Sequence, residues 1–263
     1  MTQEVLIPTS PAEAVSLFGD GSGTTVVGGG TVVLPEVTYG RLDPARVLLL
    51  TRAGLDGITI HGDSITIGAT TRVSALVELA DHAVGLAACA INVADGEIRS
   101  QATVAGNLCV GQGADAPRGD LQGALLVLDA TVRSTGAGGE RTESLEEFLA
   151  NRNGRLVLDL SFTRPEASAF ASLDYPHAHE YTVLAVSGAR AADGTVRLAA
   201  TGLAGTGARL RSAEALTADP QAAGEAAVAD VTFADDVLAS AWYRSQTLPV
   251  LVRRVLSELK ESA

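Results

Sequence analysis

The chain has 263 residues, 46% of them hydrophobic and 19% charged, with a formal net charge of −12. That length points to two domains, each large enough for its own core, and the composition is that of an ordinary globular protein and excludes global disorder. An acidic chain without a run of Lys or Arg lacks the electrostatic footprint of a nucleic-acid binder, and acidic membranes are equally poor partners for it.

No apolar run reaches ~18 residues, and the opening MTQEVLIPTSPAEAV has neither a basic n-region nor an apolar h-region, so a cytoplasmic protein without membrane insertion is expected. Cys89 and Cys109, the only cysteines, suit a reducing compartment. Two thiols cannot by themselves hold an iron–sulfur cluster or a structural zinc, and the histidines show no metal-ligand spacing. Any metal electron carrier is therefore expected on another chain.

In chain order, Ser10-Pro11-Ala12-Glu13 reads as a capping box opening a helix over 11–18, with Gly19 placed for a C-terminal positive φ. Thr24 to Val27 reads as a buried strand ending on Gly28-Gly29-Gly30, and Val32 to Pro35 as extended. A second strand is expected at 47–50, and 58–60 with 65–67 as a hairpin with one buried face. The Ala- and Leu-rich stretch 73–94 reads as two helices, the second ending at Asp95-Gly96. A loop is expected over 98–107, a helix from about Asp120 to Leu128, a strand at 130–135, a helix around 145–149 and a strand at 156–162. Thr163 to Asp174 loses periodicity and carries Arg164-Pro165, which places a domain boundary there. Beyond it, 181–191 and 195–203 read as a hairpin joined by Asp193-Gly194, and Leu251, Val255 and Leu259 mark one face of a terminal helix.

Two segments carry candidate chemistry. Gly28-Gly29-Gly30-Thr31 directly follows a strand, and successive backbone N–H groups in such a turn can form a concave nest for phosphate oxygens. It has neither the Rossmann nor the P-loop spacing, and a plain tight turn between buried strands remains an equal reading. Gly29 is expected to leave room for a diphosphate, so that Gly29→Val would fill that room without disturbing the fold. Ala102 to Asn107 offers small residues, a hydroxyl and an amide, although on its residues alone the plain reading of a strand entering a turn is favoured. Cys89 and Cys109 read as packing residues, His61 and His82 as solvated, and Glu143, Glu146 and Glu147 as one solvated helical face.

Taken together, VVGGGTVVLP at 26–35, GATTRVSAL at 68–76, ADGEIRSQATVAGNLC at 94–109, GDLQGALLVLDA at 119–130 and YRSQTLPVLVRRVL at 243–256 form a pattern of family grade. In this order, over nearly the whole chain, they resemble the FAD-binding (medium) subunit of the molybdenum hydroxylases. That group contains bacterial carbon monoxide dehydrogenase medium subunits and the flavin domain of xanthine dehydrogenase. The resemblance implies an α/β plus α+β fold. A two-subdomain FAD-binding domain of the PCMH or vanillyl-alcohol-oxidase type would occupy 1–163, with subdomains of about 1–54 and 55–163. A small α+β C-terminal domain would occupy 170–263.

It also implies noncovalent FAD, with the diphosphate on Gly28, Gly29, Gly30, Thr31 and Val32 of the first loop and on Thr103, Gly106 and Asn107 of the second. Asp120 would lie near the ribityl chain, and its other reading is a helix N-terminal carboxylate. Val32 stands where the family usually has Asp or Asn, Ala105 replaces a glycine, 110–117 lengthens the approach to Asp120, and His177-Ala178-His179-Glu180 stands where the family often has a Lys or Arg. No catalytic residue and no metal ligand is assigned to this chain.

The implied function is an electron-transfer subunit of a heteromeric oxidoreductase. A large subunit would hold the molybdenum cofactor and a small one the [2Fe–2S] clusters, and electrons would pass through FAD here to NAD+, a quinone or oxygen. The rival readings are a self-sufficient flavin oxidase and a flavin-free structural subunit of the same complex, the latter motivated by Val32 and Ala105.

Overall fold

The computed structural model describes residues 4–110, 119–173 and 182–261. The 177–180 segment, Tyr181 and the 110–117 stretch beyond Val110 lie outside those residues. The chain forms two compact units, each assembled from separated segments. The first takes Met1–Val73, Glu97–Cys109 and Ala130–Phe162; the second takes Ser74–Gly96, Val110–Asp129 and Thr163–Ala263.

The elements run, in chain order, β1 (Glu4–Leu6), α1 (Pro11–Phe18), β2 (Thr24–Val27), α2 (Val33–Thr38), β3 (Arg46–Leu49), β4 (Ile58–His61), β5 (Ser64–Gly68), α3 (Val84–Asn92), α4 (Gly96–Gln101), α5 (Val104–Leu108), α6 (Leu121–Val127), β6 (Thr131–Gly136), β7 (Arg141–Ser144), α7 (Leu145–Asn151) and β8 (Arg155–Thr163). They continue as β9 (Ala167–Leu173), β10 (Leu184–Arg190), β11 (Val196–Thr201), β12 (Ala208–Arg209), α8 (Arg211–Glu214), α9 (Pro220–Ala227) and α10 (Ala241–Glu261).

The first unit holds two sheets. Strand β3 lies between β1 and β2 and is parallel to both, and the other sheet has the order β4-β5-β8-β6-β7. Parallel strands need crossovers, which α1 and α2 with their flanking turns provide. Helix α1 starts at Ser10, whose side chain accepts from the Glu13 N–H at 3.2 Å, but the Glu13 carboxylate reaches the Thr9 N–H at 2.7 Å instead of the Ser10 N–H. The reciprocal capping box is at Ser144 and Glu147 on α7. Glu147 is therefore a capping residue and Glu143 belongs to β7, so the three glutamates do not form one helical face. In the β4–β5 hairpin Ile65 and Ile67 are buried and Ile60 is exposed, since β4 is an edge strand.

The second unit is built on an antiparallel sheet of order β12-β11-β10-β9. Period two divides its side chains into two layers. Ala167, Ala169, Ala171, Val186, Leu198 and Ala200 join Leu251, Val255 and Leu259 of α10 in one buried cluster. Ser168 and Ser187 point to the other layer, where Ser168 Oγ accepts from the Gly85 N–H of α3 at 2.9 Å and Gly123 of α6 stands against Ser187 and Thr201. The absence of periodicity over 163–174 has its cause here. Strand β9 reads ASAFASL because α3 comes so close that a Cβ on Gly85 would lie 2.8 Å from the Ala169 backbone nitrogen. Small side chains, not a linker, erase the alternation.

Four further expectations change. Val32 to Pro35 is not extended: α2 begins at Val33 directly after the glycines, and Pro35 falls in its first turn, where no N–H is needed. The segment 98–107 is not a loop but the end of α4 and most of α5, with Ala102 and Thr103 between them. Over 73–94 the first helix is a 3-10 segment, Val73–Leu79, and the second stops at Asn92. His82 is half-buried, not solvated.

Arg244 is the largest fully buried side chain, at 1% exposure. Its guanidinium donates to the carbonyls of Val183, Ala234 and Ala239 at 3.1, 2.7 and 2.8 Å and to both Asp236 carboxylate oxygens at 2.7 and 2.8 Å. Every donor of the planar fork is used, tying the 234–239 segment to α10 and to the entry of β10. Removing one member of a buried ion pair costs about 3–5 kcal/mol. Arg244→Ala should therefore lower the urea unfolding free energy by that amount, and Arg244→Lys should recover little, since an ammonium cannot reproduce the fork. An unchanged unfolding midpoint would show that these bonds contribute nothing.

Candidate functional site

Strand β2 ends at Val27, buried at 2%, and the chain then turns through Gly28, Gly29 and Gly30. Gly30 has φ +77, a conformation that glycine adopts at no steric cost, and its carbonyl accepts from the Leu34 N–H at 3.0 Å as α2 begins. The backbone N–H groups of Gly28 through Val32 donate to no partner among the described residues. These residues are half-buried, so the N–H groups line a partly enclosed turn. Such a run is a nest for an anion.

The second segment is held from the other side. Thr103 forms an isolated antiparallel bridge with Arg72, made by Val73 N–H to the Ala102 carbonyl and Val104 N–H to the Thr71 carbonyl, both at 2.9 Å. Thr103 is buried and caps α5, its Oγ1 accepting from the Gly106 N–H at 3.2 Å. Asn107 is buried on the same short helix, and its N–H donates to the Thr103 carbonyl at 2.9 Å. Ala105 has no positive φ, so the methyl that replaces the family's glycine brings no backbone strain.

The two segments touch. A Cβ on Gly29 would stand 2.0 Å from the Gln101 carbonyl oxygen and 3.0 Å from the Ala102 Cα, and one on Gly28 would stand 2.6 Å from Thr103 Oγ1. Gly106 approaches the same hydroxyl, its Cβ position lying 2.8 Å away. The space on Gly29 that sequence reasoning reserved for a diphosphate is thus occupied by the neighbouring chain. Gly29 is required for loop to meet loop, and Gly29→Val cannot leave the fold intact. Gly28, Gly29, Gly30, Thr31, Val32, Thr103, Gly106 and Asn107 all belong to the first unit, and the contacts between the two segments run through Gly28 and Gly29. Asp120 belongs to the second unit. It is buried just ahead of α6 and makes no side-chain capping bond to that helix.

Sequence reasoning missed Thr71, Arg72 and Gln101. Thr71 Oγ1 bonds the N–H and carbonyl of Gly57, both at 3.0 Å, and the Arg72 guanidinium donates to the Gln101 carbonyl. The available signal was the GATTRVSAL stretch itself, whose polar residues sit where a plain strand would end.

Neither cysteine is set up for thiol chemistry. Burial, reinforced by the Asp120 charge, pushes the Cys89 thiol well up, and its Sγ donates to the Asp120 carbonyl at 3.3 Å. Cys109 is exposed, not a packing residue, yet local desolvation pushes its thiol up to about 11 against the pull of the Arg152 guanidinium, so both stay protonated at neutral pH. Among the described residues no three His, Cys, Asp or Glu side chains are grouped to hold a metal ion. No helix there is long and apolar enough to cross a membrane.

A parallel strand that opens into a glycine turn with unpartnered N–H groups, backed by a second glycine-bearing segment, defines an α/β unit in which a run of backbone N–H groups could accept an anion. Residues 1–160 match the family described as the FAD binding domain in molybdopterin dehydrogenase, and the chain belongs to that family. It is 26% identical over 274 residues to the nicotine 6-hydroxylase medium subunit of Paenarthrobacter nicotinovorans, covering 95% of each chain. It is 25% identical to the carbon monoxide dehydrogenase medium chain of Hydrogenophaga pseudoflava, covering 95% of this chain and 94% of that one. The fold matches a chain of reconstituted CO dehydrogenase from Oligotropha carboxidovorans with a TM-score of 0.88 at 23% identity, covering 100% of this chain and 99% of that one. A chain of quinoline 2-oxidoreductase from Pseudomonas putida 86 matches with a TM-score of 0.85 at 17% identity, covering 100% and 98%.

The contact at Gly29 is directly testable. Gly29→Ala places a methyl into a backbone oxygen and should destabilise the protein by about 3 kcal/mol or more in denaturant unfolding, the upper range for overpacking. Gly96→Ala, where a Cβ meets nothing within 4 Å and φ is not positive, should stay within about 1 kcal/mol of the unaltered protein. Equal behaviour of the two variants would contradict the loop contact.

Proposed function

We propose that this chain is the FAD-binding electron-transfer subunit of a heteromeric molybdenum hydroxylase, working in the cytoplasm. The observation that carries the reading is the run of unpartnered N–H groups from Gly28 to Val32 against the Thr103 segment, in a chain of the FAD-binding family. The FAD diphosphate would rest on those N–H groups, with Thr103, Gly106 and Asn107 as the second wall. Bound there, FAD accepts electrons singly or in pairs and passes them on. The chain's own residues bind and orient it. In this reading the three-stranded and five-stranded sheets of the first unit would be the two subdomains of the FAD-binding domain, and the β9–β12 sheet with α8 to α10 the C-terminal α+β domain.

The two departures within the loops, Val32 and Ala105, are compatible with binding. Val32 offers its N–H to the nest, and an Asp in its place would add no attraction for a phosphate. Ala105 is helical and strain-free. The relatives are named as medium subunits of nicotine 6-hydroxylase and CO dehydrogenase, which supports a permanent complex with a large molybdenum-cofactor subunit and a small iron–sulfur subunit. The clusters on the small subunit would deliver electrons to FAD, and NAD+, a quinone or oxygen would receive them.

Purified from its native host by an affinity tag, the chain should bring down one large and one small polypeptide with molybdenum and iron. Acid precipitation should release yellow flavin that chromatographs as FAD, and substrate should bleach the flavin in the complex but not in the isolated chain. A colourless chain that takes up no added FAD would establish the flavin-free structural subunit instead. Turnover of an organic substrate with oxygen by the isolated chain would establish the self-sufficient oxidase.

A further inference from the structure

A nest of neutral N–H groups offers partial positive charge only, while the chain as a whole carries −12 and a dinucleotide diphosphate is a dianion. The first unit supplies a full positive charge beside the nest. Arg72 and Thr103 form a pair in the isolated bridge, and the bonds flanking them, Val73 to Ala102 and Val104 to Thr71, make it the narrow, non-hydrogen-bonded type of antiparallel pair. Side chains of such a pair stand close together on one face. For Thr103 that face is known, since its Oγ1 lies against Gly28 and Gly106. Arg72 therefore projects to the side where the two glycine segments meet. Thr71, one residue earlier, points away and bonds Gly57.

The guanidinium is anchored at that junction. It donates one Nη1 hydrogen bond to the carbonyl of Gln101, the same oxygen that would touch a Cβ on Gly29. Among the described residues this is its only hydrogen bond, and no carboxylate pairs with it. Arg133, Arg209 and Arg244 are all neutralised by carboxylates. Arg72 keeps its remaining donors and its whole charge next to the turn, half-buried and pre-positioned by the Gln101 bond. A planar fork held this way suits a phosphate, which it can grip through two parallel N–H bonds.

We propose that Arg72 is a phosphate-binding residue of this site, supplying the charge that the glycine nest lacks and favouring diphosphate-bearing flavin. The proposal rests on the flavin reading given above, and its test separates the two. FAD is titrated into the deflavinated full-length chain by quenching of flavin fluorescence, at low and at high salt. Arg72→Gln and Arg72→Lys are treated alike, and melting temperatures are recorded for each.

The unaltered chain should bind FAD more weakly as salt screens the charge. Arg72→Gln should raise the FAD Kd at least about tenfold at low salt, the size of a charge-assisted bond, and should lose most of the salt dependence. Arg72→Lys should recover most of the affinity as a point charge. Arg72→Gln binding FAD as tightly as the unaltered chain, or more weakly with an unchanged salt dependence, would overturn the proposal. In the second case Arg72 merely holds Gln101 against Gly29. Failure of the unaltered chain to bind FAD at either salt concentration would instead defeat the flavin reading, and this proposal with it.

Discussion

Everything proposed for the first unit depends on one close approach, the backbone of Gly29 lying against the backbone of Gln101 and Ala102, with Gly28 against the Thr103 side chain. Contact at that distance is open only to glycine. The contact fixes the turn after β2, whose N–H groups have no partner among the described residues. Burying such groups unpaired is costly, so a stable fold keeps them only where solvent or a ligand satisfies them. The same contact brings the Thr103 hydroxyl and, through the Gln101 carbonyl, the Arg72 guanidinium to the turn. Three pieces of sequence that lie far apart thus converge through backbone geometry alone.

The second unit solves its packing with the same device at larger scale. One face of the β9–β12 sheet is aliphatic and takes α10, while the other is lined by Ser168, Ser187 and Thr201 and takes α3 and α6 through Gly85 and Gly123. The buried hydroxyls are not left idle, since Ser168 accepts the Gly85 N–H. Arg244 adds the one fully buried guanidinium among the described residues, and its value lies in joining segments rather than in the ion pair itself, because the desolvation of two charges offsets much of their attraction.

How much of this the sequence carried follows from what each element encodes locally. The Asp193-Gly194 hairpin, the apolar face of α10 and the strand before the glycines were legible because turn chemistry and periodicity are short-range. Helix α2 was not, since Val32, Val33 and Pro35 favour extended chain and the turn at Gly30 overrides them. Strand β9 was hidden because its small residues answer to a helix distant in sequence. At the candidate site the glycines were recognised, but the reason for Gly29 was assigned to a ligand when it belongs first to Gln101. Arg72 lay within the recognised GATTRVSAL stretch, but nothing local told its direction. Only the bridge to Thr103 shows which way it faces.

The central claim is that the turn from Gly28 to Val32 binds the FAD diphosphate through its backbone, and amide hydrogen exchange resolved to these residues reads that most directly. Without FAD their N–H groups lack protein partners and should exchange rapidly, on the scale of an open loop. Saturating FAD should slow exchange from Gly28 to Val32 strongly, while amides of α9 and β12 stay as they were. Rapid exchange in that turn with FAD fully bound would contradict the account, placing the diphosphate elsewhere.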